Sequence, residues 1–226
     1  MHPTLQLMLD SLWPLVRAGI LFTVPLAILS FAFGLSLGFA VAVIRLFGPR
    51  PLALVARFYV WFIRGTPLLV QLFVIFYGLP SVGILIDAFP AALIGFTLSV
   101  GAYTSEIIRA ALSSIPKGQW EAAYAIGMTQ RQAMVRTVVP QAVRVSIPPL
   151  SNSFISLVKD TSLAAAITVP ELFQQAQRIV ATTYEPLILY VEAALLYLVL
   201  SSVLSALQGK LEKRFGRYGG YLEGGS

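Results

Sequence analysis

The sequence predicts an all-α membrane protein with about five transmembrane helices. Of its 226 residues, 57% are hydrophobic and only 12% are charged, whereas about a quarter of the residues in a soluble globular chain are charged. Several apolar runs approach the roughly 20 residues that a helix needs to cross a bilayer. No second domain, internal repeat or low-complexity tract interrupts these runs. We therefore expect residues 1–222 to form one membrane domain, and we interpret residues 223–226 as a cloning remnant.

Composition also limits the chemistry of the chain. It contains no cysteine, and its one histidine is His2, so it offers no disulfide framework, thiolate site or histidine cluster. Paired membrane carboxylates and a nucleophile elbow are also absent, which argues against a membrane-embedded enzyme. The net charge of +6 fits basic cytoplasmic loops rather than nucleic-acid binding. We predict no catalytic residue, no metal site and no nucleic-acid partner.

Five apolar segments are the candidate spans. They cover residues 15–44, 57–77, 88–111, a segment that begins near 143, and 186–207. The first is long enough to cross the membrane at a tilt. Within it, Gly34 and Gly38 form a small-xxx-small pair, which lets another helix pack closely.

The second and fourth segments contain residues that disturb a regular helix. Residues 65–67 read Gly-Thr-Pro, a sequence that breaks helical hydrogen bonds. The Pro-Pro pair at 148–149 is expected to interrupt the fourth segment, which becomes irregular again around Lys159 and Asp160. Irregular backbone at membrane depth is tolerated where it lines a cavity or is covered by protein. We therefore expect both irregular stretches to face the interior.

The distribution of lysine and arginine predicts the orientation of the chain. Basic residues follow the first span, follow the third span and fill the tail: Arg45, Arg50, Arg57; Lys117, Arg131, Arg136, Arg144; Lys210, Lys213, Arg214, Arg217. The loop 78–90 has none. Because cytoplasmic loops carry the excess of positive charge, the N-terminus is predicted outside and the C-terminus in the cytoplasm. The polar segment 116–142 is then cytoplasmic.

That polar segment predicts two short helices near the membrane surface. Pro116 suits a helix start, and Gly127 suits the left-handed residue that ends a helix. Thr129 and Gln132 match a capping box that starts a second helix, and Pro140 is expected to end it. A polar helical module in a membrane chain indicates a docking surface for a soluble partner. An amphipathic interfacial helix without a partner is the alternative.

Several motifs along nearly the whole chain resemble permease subunits of polar amino acid ABC importers. The family's Glu-Ala-Ala and Gly are matched, and its distal Ile-x-Leu-Pro is relaxed except for the proline: Glu121, Ala122, Ala123, Gly127, Thr137, Val139, Pro140. The amino acid branch is further resembled at residues 64–71 and 102–106. The run 150–164, followed by 169–173, is especially similar to L-cystine importer permeases.

The resemblance implies a type I ABC importer transmembrane fold and a multi-pass protein of the bacterial inner membrane. Two permease copies, as a homodimer in the simplest case, would form the pathway for L-cystine. An extracytoplasmic binding protein would deliver the amino acid, and two cytosolic ATPases would bind ATP and Mg. This chain has no phosphate-cradling loop and needs no cofactor of its own.

The resemblance also assigns residues 116–142, called the coupling segment below, to contact with the ATPases. The predicted coupling residues are Gln119, Glu121, Ala122, Ala123, Ile126, Gly127, Thr129 and Pro140. The small side chains in this set would let a partner surface approach closely.

Candidate substrate contacts come from polar residues inside the spans. A charge at the centre of a span costs about 2.5–3.5 kcal/mol on insertion scales, so such residues face a cavity or a partner. Arg64 or Lys159 can bind the carboxylate of an amino acid, and Asp160 can bind its ammonium group. The candidates for neutral hydrogen bonds are Thr66, Gln71, Asn152, Ser156, Thr161 and Ser162. Cystine is a double zwitterion and suits a site with both charges.

Other interpretations of these residues stay open. Lys159 and Asp160 can pair with each other or lie at a helix–loop junction, and Arg64 can anchor two subunits. Glu106 and Arg109 are spaced for a mutual ion pair. The cargo can be another polar or basic amino acid. A stand-alone channel or proton-coupled transporter is a further alternative, but it needs no docking segment.

Overall fold

The computed structural model describes the backbone of residues 3–216 and the side-chain surroundings of residues 5–210. Within that part the chain is helical and has no β-strand. The α-helices are α1 (Pro3–Ala18), α2 (Val24–Phe47), α3 (Arg50–Gly65), α4 (Leu68–Phe73), α5 (Ala88–Ser113), α6 (Lys117–Ala125), α7 (Gln130–Ala133), α8 (Val139–Asp160), α9 (Leu172–Thr183) and α10 (Pro186–Gly216). The expected remnant at 223–226 and the tail cation Arg217 lie outside the described residues.

The first two helices form one continuous rod. Its apolar part, Leu5–Phe47, has 43 residues, which is about 65 Å at 1.5 Å per residue and roughly twice the thickness of the hydrocarbon core. The predicted span 15–44 lies inside this rod, and the helix itself begins earlier, at Pro3. Asp10 and Pro14 obscure the helix in the sequence, because a charge and an internal proline both interrupt an apolar helical pattern.

In the described residues, three π-helical turns continue a helical stretch up to a proline. They cover Gly19–Thr23, Val74–Gly78 and Met134–Val138, and each ends two residues before a proline. Proline lacks an N–H and its ring displaces the carbonyl four residues earlier. A wider π turn accommodates that displacement without ending the helix. The predicted helix end at Pro140 was therefore wrong, because the chain stays helical from Gln130 to Asp160.

The second predicted span, 57–77, is not straight. Helix α3 ends at Gly65, and the following helical stretch Leu68–Val82 turns by 105° from it. Thr66 and Pro67 at the turn both have extended backbone. The predicted break at residues 65–67 is confirmed.

Helices α2 and α5 cross closely at the predicted glycine pair. A Cβ added to Gly34 would lie 2.5 Å from Val100, and one added to Gly38 would lie 1.9 Å from Oγ1 of Thr104. Thr104 Oγ1 donates to the carbonyls of Val100 (2.8 Å) and Gly34 (3.3 Å). The prediction of close packing at these glycines is confirmed.

Helix α8 runs through Pro148 and Pro149 without a break, so the predicted interruption was wrong. The φ angle of proline fits a helix, and its cost is a lost hydrogen bond and a clash with the preceding turn. Packing of the buried face of α8, including Leu157 and Val158, offsets that cost. The predicted irregularity near Lys159 and Asp160 is confirmed, since a 3-10 helix, Thr161–Ile167, follows at once.

Two buried carboxylates bind the last helices to the first ones. Glu171 caps α9 by accepting from the N–H of Gln174 (2.7 Å), and it also accepts from the hydroxyl groups of Tyr197 (2.5 Å) and Thr23 (3.4 Å). Glu192, buried in α10, accepts a 2.6 Å hydrogen bond from Ser11 in α1. The long rod is thereby held against α9 and α10.

By length and composition, three helices in the described part can cross a membrane, namely Leu5–Phe47, Ala88–Ser113 and Pro186–Lys210. The bent pair of α3 and the stretch after it raises the number to as many as four. Helix α8 is rich in polar residues and is not in that set. The prediction of about five spans stays a prediction.

Candidate functional site

A groove between α5 and α8 contains three of the predicted substrate contacts. It has a volume of about 450 Å³, and its polar lining comprises Ser99, Tyr103, Asn152, Ser153, Ser156 and Asp160. Asn152, Ser156 and Asp160 are spaced four residues apart, which places them on one face of α8. This polar groove thus presents one carboxylate and several neutral hydrogen-bonding groups along a single helix face.

The predicted cation Arg64 lies beside the polar groove. Its guanidinium carbon is 5.3 Å from the centroid of the Tyr103 ring, within the range of a cation–π contact. Arg64 is the last but one residue of α3, next to the 105° turn. The turn therefore brings a positive charge towards a groove whose opposite wall carries Asp160.

Thr66 and Gln71 stabilise that turn. The side-chain amide of Gln71 donates to the carbonyl of Ile63 (2.8 Å) and to Oγ1 of Thr66 (2.8 Å), and Thr66 Oγ1 donates to the carbonyl of Phe62 (2.9 Å). These bonds satisfy carbonyl groups that the end of α3 leaves open. The structure therefore places both side chains at the turn rather than in the groove lining.

The remaining predicted contacts are not part of the polar groove lining. Thr161 is fully buried and donates to the carbonyl of Val158 at 2.6 Å. Ser162 donates to the carbonyl of Lys159 at 2.7 Å. Lys159 is exposed and forms no ion pair with Asp160; in the described part the ion pairs are those of Glu106 with Arg45 and Arg109. Adjacent helix positions lie about 100° apart, so neighbours in sequence need not share a face.

The turn between α6 and α7 in the coupling segment has the local geometry that its sequence predicts. Helix α6 ends in a Schellman motif: Gly127 has φ +81° and donates to Tyr124, and Met128 donates to Ala123. Thr129 and Gln132 form both bonds of the predicted capping box. The helix pair α6 and α7 is thus fixed by backbone capping on both sides of the turn.

The predicted coupling residues differ in exposure. Glu121, Ala122, Ile126, Gly127, Thr129 and Pro140 are exposed, and Gln119 is half-buried. Ile126 is 74% exposed, although it is apolar and lies in a polar segment. Ala123 is buried, so its small side chain serves packing within this chain and does not itself face a partner. Tyr124, 44% exposed, extends the apolar part of this surface.

Two contacts of charged side chains, those of Arg45 and of Glu171, were missed by the sequence analysis. The expected ion pair of Glu106 and Arg109 is confirmed, with two bonds of 2.8 and 3.0 Å. Arg45 of α2 also binds Glu106, a contact between residues 61 positions apart that no local spacing indicates. The buried role of Glu171 was missed as well; its position at the start of α9 was the only available signal.

The comparisons with known proteins identify the family of the chain. The sequence profile of the family described as "Binding-protein-dependent transport system inner membrane component" matches residues 34–217. That stretch includes both the polar groove and the coupling segment.

Curated relatives cover nearly the whole chain. The L-cystine transport system permease protein TcyB of Bacillus subtilis strain 168 is 54% identical over 214 residues, which are 94% of this chain and 92% of the relative. The probable glutamine ABC transporter permease protein GlnM of the same organism is 39% identical, covering 87% and 91%. The octopine transport system permease protein OccM of Rhizobium radiobacter is 40% identical, covering 86% and 83%.

Solved structures have the same fold. A chain from the crystal structure of an amino acid ABC transporter with histidines matches with a TM-score of 0.88 and 35% identity, covering 92% of this chain and 96% of the other. A chain of the MetNI methionine ABC transporter in an inward-facing conformation matches with a TM-score of 0.67, covering 95% and 99%. At 20% identity the second match shows likeness of fold alone. The predicted fold class is confirmed.

Proposed function

This chain belongs to the family of binding-protein-dependent transport system inner membrane components, the transmembrane subunits of ABC importers, and we propose that it carries L-cystine inward across the bacterial inner membrane. The observation that supports L-cystine as the substrate is the 54% identity with an L-cystine permease across 94% of the chain. The chain is a permease, and the ATPase activity of such importers lies in partner subunits.

The polar groove supplies suitable chemistry for the proposed cargo. Asp160 would bind an ammonium group of cystine, and Arg64 would bind a carboxylate from the side of Tyr103. Ser156 would donate and accept neutral hydrogen bonds, and Asn152, whose Oδ1 accepts from Gln208 at 3.0 Å, would donate through its amide nitrogen. The groove volume of about 450 Å³ lies within the usual range for small-molecule pockets. Thr66 and Gln71 would act by holding the turn that presents Arg64.

The other three candidates are not proposed to contact the cargo. Thr161 and Ser162 follow Asp160 in the chain, and their hydroxyl groups donate to nearby main-chain carbonyls, whereas Lys159 immediately precedes Asp160. We propose that they shape the end of α8 rather than touch the cargo. Lys159 is exposed and remains available to a partner surface.

The coupling segment is proposed to dock a cytosolic ATPase, with a second ATPase docking on a second permease copy. Exposed Ile126 and Tyr124 give this polar segment an apolar centre, which is typical of a protein interface. Glu121 and Thr129 would form its polar rim. ATP and Mg would be bound by the ATPases, and an extracytoplasmic binding protein would deliver the amino acid.

A second copy of this chain is the proposed partner in the membrane. Tyr103 and Asp160 line the polar groove yet remain exposed in the single chain. A polar surface at membrane depth needs a protein or water-filled surrounding. We propose that a homodimer provides it, with one groove contributed by each copy.

Import of a different polar amino acid is the second candidate. Relatives at 39% and 40% identity are named for glutamine and octopine, so the fold accommodates several cargoes. The test is reconstitution of the chain with its ATPase and binding protein in proteoliposomes. We expect uptake of labelled L-cystine that needs both ATP and the binding protein. Uptake that proceeds without ATP would contradict the proposal.

A further inference from the structure

A second continuous helical rod, formed by residues 130–160, joins the coupling segment to the polar groove; in this subsection 'the rod' means these residues. The chain is helical from Gln130 to Asp160, through α7, the π turn and α8. The first turns of this rod pack against α6, and its last turns carry Asn152 and Ser156. A movement of the rod would therefore reach both sites. For the movement to be shared, α6 must be held against the rod.

A polar clasp connects α6 to the start of α8. The side-chain amide of Gln141 donates to the side-chain carbonyl of Gln119 in α6 at 3.0 Å. The same amide donates to the main-chain carbonyl of Thr137 at 2.9 Å. Both nitrogen-bound hydrogens of Gln141 can thus be used, one towards the coupling helix and one towards its own rod.

The backbone just before Gln141 departs from the regular α-helical hydrogen-bond pattern. Pro140 has no N–H to donate to the carbonyl of Arg136, and Val139 donates to Met134 in the π pattern. On the other side, α6 joins α7 only through the turn at Gly127. The side-chain amide of Gln141 connects α6, through Gln119, to the main-chain carbonyl of Thr137 in the rod.

Both apolar packing and a hydrogen bond hold α6 against the rod. Trp120 of α6 packs on a cluster that includes Met134 and Val138, but apolar contact has no directional preference. A hydrogen bond has a preferred distance and angle. The bond between Gln119 and Gln141 therefore adds a directional constraint to this packing.

Helical geometry connects this clasp to the groove. Asn152 lies 11 residues after Gln141, which is about three turns and about 17 Å along an α-helix. The two side chains therefore lie near the same face of α8. A rotation imposed on the rod at Gln141 would turn Asn152 in the same sense.

We propose that Gln141 is a positioning residue, which clasps the coupling helix through Gln119 and transmits its movement along α8 to the polar groove. This inference rests on the proposed function, since it assigns a part to Gln141 in coupling ATP hydrolysis to transport. It adds a residue that none of the predicted coupling contacts included.

The test measures the number of amino acid molecules imported per ATP hydrolysed in the reconstituted complex. Gln141→Leu and Gln119→Leu each remove the clasp, and we expect each to lower this ratio by about three- to tenfold, as the loss of one hydrogen bond predicts. Gln119→Lys combined with Gln141→Glu exchanges donor and acceptor and should restore most of the ratio. Gln177→Leu, at an exposed position of α9, is the matched control and should leave it unchanged.

A distance measurement gives a second readout that does not depend on transport. The chain has no cysteine, so spin labels can be placed specifically at Ala125→Cys in α6 and Val145→Cys in α8, both exposed. We expect one narrow distance distribution in the parent chain and a broad one after Gln119→Leu. The double variant, Gln119→Lys with Gln141→Glu, should restore the narrow distribution.

The outcomes separate this inference from the proposed function. A lower number of amino acid molecules imported per ATP in both single variants, with recovery in the double variant, supports the clasp. An unchanged ratio after Gln119→Leu overturns it, even if Gln141→Leu has an effect, because the bond between α6 and α8 is then not needed. If Gln141→Leu does not assemble, Gln119→Leu decides alone. If the parent complex shows no ATP-dependent uptake, the proposed function fails, while the distance measurement still tests the clasp.

Discussion

Asp160 provides the negative charge of the polar groove, and its substitution tests the groove at the scale of one residue. We predict that Asp160→Asn lowers the initial rate of cystine uptake by at least about tenfold, because a hydrogen bond to a charged group contributes about 1.5–3 kcal/mol. Binding of the ATPase should be unaffected. Asp10→Asn, at an exposed position of α1, is the control. Equal uptake by the two variants would remove Asp160 from the cargo path.

Gly127 adopts a backbone conformation that other residues reach only with strain. Its φ of +81° predicts that Gly127→Ala costs about 1–2 kcal/mol, so the coupling segment should open more often. Gly118→Ala is a matched control, because Gly118 lies in α6 with open space around its Cβ position. We expect trypsin to cleave at Arg131 about tenfold faster in Gly127→Ala than in the parent chain. Cleavage at equal rates in both variants would show that the turn does not hold the segment.

Residues in local patterns were predicted well, and residues that meet across the fold were not. The capping box of Thr129 and Gln132 and the turn at Gly127 follow from the sequence, because each depends on neighbours within a few positions. The contact of Arg45 with Glu106 depends on how α2 crosses α5. Likewise, the sequence predicts Lys159 and Asp160 as a polar pair but not that only Asp160 lines the polar groove.

At the scale of elements, the crossing of α2 and α5 depends on Gly38. A methyl group there would meet Oγ1 of Thr104 at 1.9 Å and the carbonyl of Gly101 at 2.9 Å. We predict that Gly38→Ala lowers the free energy of unfolding by about 1–3 kcal/mol, the usual cost of overpacking, and reduces the Tm of the detergent-solubilised chain. Gly209→Ala, which adds a methyl group in open space on α10, should leave the Tm unchanged. A similar Tm for both variants would show that the helices can separate at little cost.

The prolines explain where prediction of the elements failed. From sequence, Pro140 and the pair at 148–149 indicate helix ends, since each proline removes a hydrogen bond. In the structure the π turn before Pro140 absorbs the displaced carbonyl, and the tertiary packing of α8 outweighs the loss at 148–149. Of the three proline-containing stretches compared, the Gly-Thr-Pro stretch at 65–67 breaks its helix, and there Gln71 donates to the open carbonyl of Ile63. Which proline breaks a helix thus depends on contacts that the local sequence does not contain.

At the scale of the whole molecule, the orientation predicted from basic residues can be tested by labelling. Because the chain has no cysteine, single substitutions report one position each. We predict that Val82→Cys, exposed before α5, reacts with an impermeant maleimide in intact cells. Ala125→Cys, exposed in α6, should react only after the membrane is opened. The reverse pattern would contradict an outside N-terminus and a cytoplasmic coupling segment.

Fold class and family follow from features spread over the chain, which is why they could be predicted before the contacts were known. A high apolar content, the placement of basic residues and the run at 150–164 each involve many positions and tolerate local errors. The site is harder to predict, because a one-position shift on α8 turns a side chain by about 100°. Of the nine proposed substrate contacts, the structure therefore brings Asn152, Ser156 and Asp160 into the groove lining.

The most direct test of the account is competition for uptake of radiolabelled L-cystine. Proteoliposomes would contain this chain with its ATPase and binding protein, and unlabelled amino acids would be added in excess. We predict that unlabelled cystine abolishes ATP-dependent uptake, whereas arginine, histidine and glutamine leave it nearly unchanged. Equal inhibition by those three amino acids, or the absence of any ATP-dependent cystine uptake, would contradict the proposal that this permease imports L-cystine.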